Sequence, residues 1–231
     1  MNKQRTILIL LIFGLAFCAF AQNDDTLQTS IEINSEKELK DLETSLENSG
    51  DDFKDLYLGI ANHNLAQSNP DYIKPALEFL EKSWEKTKNA LALVYLGSAQ
   101  TMEGGNAAIT GDYLTAMGKL SEGIENMDKA AGLDPDNIAI RTVRMINGFG
   151  LMEGSPVSRV LEIEEDLEFL KKSLKPEDKD NWALYWYCSA RLALLLEEWD
   201  EVFEYLENAV RANPESGWAK AAEDLLWQLE E

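Results

Sequence analysis

The chain has little of what catalysis and cross-linking require. Among 231 residues there is one histidine, His63, and there are two cysteines, Cys18 and Cys188. A lone histidine excludes a multi-histidine metal site, and no H-E-x-x-H run surrounds it. No glycine-rich phosphate loop occurs, since Gly148-x-Gly150 sits in a helical context without the strand such a loop needs. No N-x-S/T sequon is present, which favours bacterial export over a eukaryotic secretory route. Cations are scarce: 21 Lys and Arg stand against 42 Asp and Glu, for a net charge of −21. That excess opposes nucleic-acid binding, which needs cations to neutralise phosphates, and it opposes docking on anionic lipid. It fits a solvated acidic surface that keeps an exported protein soluble.

The longest apolar run is Ile7 to Phe20, preceded by Lys3 and Arg5. Ala19-Phe20-Ala21 then reads as an A-x-A cleavage signature, with Gln22 as the new N-terminus. The run is short for a membrane span, which takes ~20 residues, and Asp24 and Asp25 follow it. Residues 1–21 are therefore expected to be a signal peptide, leaving no integral membrane span after cleavage. Export to the periplasm or the medium follows. Leu15-Ala16-Phe17-Cys18 also resembles a lipoprotein box, although Phe17 stands where that signal takes a small residue, so a lipid anchor through Cys18 is the second reading. After cleavage Cys188 alone remains, and one cysteine forms no internal disulfide. An apolar fraction of 45% supports a real core in its place.

Residues 22–34 are polar without a sustained period, which predicts a flexible leader. From residue 35 onward the pattern is helical throughout, and no segment reads as a strand. Ser35 before Glu36 and Glu38 reads as a cap, followed by Leu39, Leu42 and Leu46 at helical spacing up to Gly50. Further helices are expected at about 52–67, 71–87, 89–103, 120–135, 136–152, 160–174 and 216–230. Gly104-Gly105 reads as a turn. Ile109, Tyr113, Leu114 and Met117, in the stretch up to Leu120, suggest an insert that extends the next helix backwards past Gly111.

The most regular stretch is Trp186 to Pro214, a helix, a tight turn and a second helix. Val202, Leu206, Ala209 and Val210 form one apolar stripe, and Pro214 ends the helix at Asn213. Trp199, Val202, Leu206, Ala209 and Pro214 resemble the second-helix positions of a tetratricopeptide repeat (TPR), and Trp186 and Ala190 the first. Ser189 and Ala193 depart from the family pattern. Leu58-Gly59 and Leu96-Gly97 resemble the Leu-Gly pair of a first helix, and Gly123, Met127, Ala130 and Pro135 again fall on second-helix positions. The resemblance spans residues from about 52 to 231, and Ala90 to Asn137 is similar to a group of exported bacterial TPR-type proteins with an elongated second hairpin. It implies an all-α fold over residues 35–231. That fold is a TPR-like α-solenoid of about four helical hairpins, with an extra N-terminal helix and a C-terminal capping helix. Insertions in such repeats often map to the binding face.

Two constellations are candidate partner-binding sites. Trp182, Tyr185 and Trp186 share one helical face, either as packing between hairpins or as a patch for a partner, a role aromatic residues favour. Arg141 and Arg144 lie one turn apart, either neutralising neighbouring carboxylates or anchoring a partner's carboxylate by bidentate pairing. The remaining features have plainer readings. Glu164, Glu165 and Asp166 read as a solvated face. Asp134 to Asn137 reads as an inter-repeat turn, lacking the ligands of a calcium loop. Cys188 reads as a small buried hydrophobe rather than a nucleophile paired with His63.

The expectation is a non-enzymatic, exported TPR-like scaffold that binds a protein or peptide, with no cofactor, no metal and no nucleic acid. The alternative is an accessory small-ligand binder of a periplasmic solute-uptake system.

Overall fold

The computed structural model describes residues 25–47 and 52–230; the signal-peptide reading, Cys18 and the stop at Gly50 lie outside them. The described residues form eleven α-helices and one 3-10 turn, with no strand among them. None of these helices is long and apolar enough to cross a membrane.

The first helix is a correction to the sequence reading. Residues 22–34 were expected to be a flexible leader, yet Asp25–Glu32 is helix α1. Leu27 is buried, Ile31, four residues on, packs against the same core, and Ile33 just past the helix is buried there too. A stripe that short leaves no periodic signal over a longer window. Asn64 secures the helix end, its Nδ2 donating to the Ile31 carbonyl at 2.7 Å and to that of Ser30 at 3.3 Å. Helix α2 (Glu36–Leu46) starts on a capping box: the Ser35 hydroxyl accepts from the Glu38 N–H, and the Glu38 carboxylate accepts from the Ser35 N–H. Its Leu39, Leu42 and Leu46 are buried as the spacing predicts.

Helices α3 (Lys54–Ala66) and α4 (Ile73–Thr87) pack as a pair across a 3-10 turn at Pro70–Tyr72. Eleven of the thirteen α3 residues are buried, whereas α4 buries one stripe that includes Ala76, Leu80 and Ser83. The stripe of α4 explains its amphipathic sequence, and the all-round burial of α3 explains why its sequence shows so little periodicity.

Helices α5 (Ala90–Ile109) and α6 (Tyr113–Leu133) form the longest hairpin. Gly104-Gly105 is not a turn: α5 runs straight through it. A Cβ on Gly104 would lie 3.0 Å from the Ala116 carbonyl oxygen, so this glycine is there for close approach to α6. The chain reverses instead at Gly111, whose φ of +85° suits glycine, and Asp112 caps α6 by accepting from the Thr115 N–H. The insert therefore lengthens both helices, and α6 begins at Tyr113 rather than before Gly111.

Helix α7 (Ile138–Gly154) carries Asn137 as its cap and joins two cores. Its Ile140 and Val143 belong to a core shared with α1 to α6, and its Met145 and Phe149 to one shared with the helices that follow. Those are α8 (Val160–Ser173), α9 (Lys179–Leu195), α10 (Trp199–Ala212) and α11 (Gly217–Glu230). Val202, Leu206 and Ala209 are the buried stripe of α10. Helix α11 covers α9 and α10 with Ala219, Ala222 and Leu225.

Candidate functional site

Arg141 and Arg144 project from α7 into the protein rather than toward a partner. Arg141 Nη1 donates to Glu165 at 2.8 Å and to Asp166 at 3.0 Å, and its Nε donates to the Pro135 carbonyl. Arg144 grips Asp166 with two bonds, Nε at 2.9 Å and Nη2 at 2.6 Å, and reaches Glu165 at 2.9 Å. Asp166 is 0% exposed, which corrects the reading of this carboxylate as part of a solvated face. Burial pushes Asp166 above the ordinary carboxylate value while both guanidiniums, through three charge-assisted bonds, pull it back. Arg141 holds the half-exposed Glu165 below the usual range, with help from Arg144. Burial works against the charge on Arg144, and Asp166 and Glu165 outweigh it, so that pKa is raised. Arg159, which the sequence offered no reason to select, is buried beside this cluster and binds Asp128 of α6 at 2.5 Å. Together these groups lock α6, α7 and α8. The expected anchor for a partner carboxylate is thus occupied from within.

The aromatic trio divides. Tyr185 is buried in the second core. Trp182 and Trp186 are half-buried and stacked, with ring centroids 6.3 Å apart. Tyr185 meets both rings edge-on, at 5.4 and 4.9 Å, and Tyr205 of α10 packs against Trp186 at 5.6 Å. The indole N–H of Trp182 donates to the Lys175 carbonyl at 2.9 Å, which fixes its ring orientation. The two tryptophans line an open groove of about 260 Å³ between α9, α10 and the loop before α9. Pro176, Lys179, Asn208, Arg211 and Ala212 complete its lining.

Two cations on this groove stand out in a chain with twice as many acidic as basic residues. The Lys179 side chain is exposed and makes no hydrogen bond or ion pair among the described residues. Arg211 donates to Asn208 Oδ1 at 2.8 Å and keeps Glu207 at 3.8 Å, with both ionic side chains largely in water. An exposed pair of that length contributes little, so the guanidinium is free to exchange it for a ligand. Chemically, the groove offers aromatic faces, a proline and two positive charges. Lys179 and Arg211 were not singled out from sequence because only folding brings α9 and α10 side by side.

His63 is internal. Its Nε2 meets Ser98 Oγ at 2.9 Å, its ring stands edge-on to Tyr95, and Asn147 donates to Ser98 and Thr101 from α7. With the Ser98 hydroxyl donating, Nε2 accepts and Nδ1–H points to Asn64 Oδ1 at 3.3 Å. Burial lowers its pKa to about 4, so it is neutral at physiological pH. Cys188 lies in the second core, where burial pushes its thiol up to about 12. The structure does not bring the two together, and a thiol so raised is a poor nucleophile.

No family model, curated protein or solved structure matches the chain.

Proposed function

We propose that this protein is an exported, TPR-like α-solenoid that binds a segment of another protein in the Trp182–Trp186 groove. The reading is carried by one observation: two stacked, half-buried tryptophans beside Lys179 and Arg211, on the surface of a strongly acidic chain. Aromatic faces take up an aromatic or proline side chain, and the flanking cations take up a carboxylate. The complementary partner is therefore an extended segment that joins an apolar ring to acidic residues. Helix neighbours support the solenoid reading. Alternate helices touch as well as sequential ones, with α3 on α5, α5 on α7 and α9 on α11. The apolar run before Ala21 supports export.

The groove's shape weighs against the small-ligand alternative. Sites that enclose a small molecule run to ~300–1,000 Å³ and bury most of the ligand, whereas this groove is smaller and open along its length. The experiment is binding to an array of immobilised peptides that vary aromatic and acidic content. Aromatic-acidic peptides are expected to bind, with loss on Trp186→Ala and on the double change Lys179→Glu, Arg211→Glu. Binding indifferent to all three substitutions would remove the groove from the function.

A further inference from the structure

The α5–α6 hairpin ends in a tip with no covering. Ile109 and Leu114 are each 86% exposed, Tyr113 is 70% and Met117 71%. From Gly104 to Gly118 the buried positions are Gly104 and Ala116, which face one another across the hairpin. Apart from the partly buried Ala107 and Ala108, the other positions of this stretch are exposed. Large apolar side chains clustered at a solvent-exposed tip mark an interaction surface rather than a solvated one.

Charge identifies the occupant. Residues 104–120 contain one acid, Asp112, and one base, Lys119, in a chain of net charge −21. Asp112 is engaged as the α6 cap, and Lys119 pairs with Glu103 at 2.9 Å and Glu122 at 3.7 Å. The tip is the electrically quiet part of a surface that otherwise repels copies of itself and anionic lipid. Seven residues separate Tyr113 from Leu120, which packs against the first core, and at 1.5 Å per residue the tip reaches out ~10 Å. Two copies overlapping only at their tips keep their acidic bodies beyond the ~8 Å screening length of physiological salt. The patch is also self-complementary, since Leu114 and Met117 of one copy need only the same side chains of the other.

We propose that two copies of this chain associate tip to tip through Ile109, Tyr113, Leu114 and Met117. Four such side chains supply on the order of 400 Å² of apolar area per copy. That is about half of the ~800 Å² each partner gives to a standard interface, so the dimer is weak and reversible. This association stands independently of the peptide groove on α9 and α10.

Sedimentation velocity across a concentration series from about 1 to about 200 μM tests it. The expected result is a concentration-dependent shift from monomer to dimer, strengthened by added salt. Leu114→Asp with Met117→Asp should give monomer at every concentration with an unchanged far-UV circular dichroism spectrum. Tyr113→Ser is a milder variant expected to raise the dissociation constant several-fold. A wild-type protein that stays monomeric throughout overturns the proposal, as does a dimer that survives both variants. A monomer that co-sediments with phosphatidylcholine vesicles through the same residues overturns it too, and assigns the tip to lipid.

Discussion

Gly97 and Gly123 bring the backbones of α5 and α6 into contact. A Cβ on Gly97 would lie 2.5 Å from the Gly123 carbonyl oxygen, and a Cβ on Gly123 would lie 2.5 Å from that of Gly97. The contact is reciprocal, backbone against backbone, so no side chain can swing away to make room. At this pair the two helices approach with no side chain between their backbones.

Gly97→Ala should therefore destabilise the protein by about 3 kcal/mol, an overpacking cost that the backbone cannot relax. Gly118→Ala is the control, because nothing lies within 4 Å of its added methyl. In a helix interior that change should stabilise by about 0.5–1 kcal/mol. Urea unfolding midpoints of the two variants should move in opposite directions.

Arg144→Ala takes two of three guanidinium bonds from the buried Asp166 carboxylate and leaves it Arg141 Nη1 alone, at 3.0 Å. Because Arg141 stays in place, the loss should fall below the about 3–5 kcal/mol of a fully unpaired buried charge, and removing both partners should cost less still. The double variant Arg144→Ala, Asp166→Ala should thus recover part of the stability lost in the single one. A double-mutant cycle by chemical denaturation checks this, and additive losses would dissolve the lock between α7 and α8.

Acid should weaken the fold through His63. Its folded pKa of about 4 lies below the ordinary histidine value of 6.5, so between those values the unfolded chain binds the extra proton. Stability is then present in full above pH 6.5 and lost as pH falls toward 4, by up to about 3 kcal/mol. Carboxylates titrate in the same range, so the check is a difference. Wild type should lose more stability than His63→Gln between about pH 7 and about pH 4.5.

The thiol of Cys188 should be silent in the native state. It is buried and its pKa is raised to about 12, so little thiolate exists at neutral pH. Labelling with a thiol reagent should appear only with the denaturant transition, and labelling without denaturant would show that the second core opens locally.

The helices were largely legible where one stripe meets the core. Leu39, Leu42 and Leu46, or Val202, Leu206 and Ala209, carry the period of a half-buried helix and are buried as that period implies. Legibility failed where the local signal was too short or ambiguous. Helix α1 rests on Leu27, Ile31 and the Ile33 that follows it, and Gly104-Gly105 resembles a turn because glycine is a poor helix former. Of the candidate site, Trp182 and Trp186 were visible as neighbours on one helix face. Lys179 was close in sequence but undistinguished, and Arg211 comes from the next helix.

The sequence by itself determined the all-helical class, the acidic surface, and the order of most helices, because each depends on composition or on a periodicity within ~15 residues. Tertiary structure alone decided which way the notable side chains face. Arg144 lies 22 residues from Asp166, and nothing in either segment announces that they meet. Likewise Gly97 and Gly123 are pinned by a neighbouring backbone while Gly105 and Gly118 meet nothing, a distinction set by the approach of two helices. Helical period gives each residue its angle on its own helix, and only packing says what lies across from it.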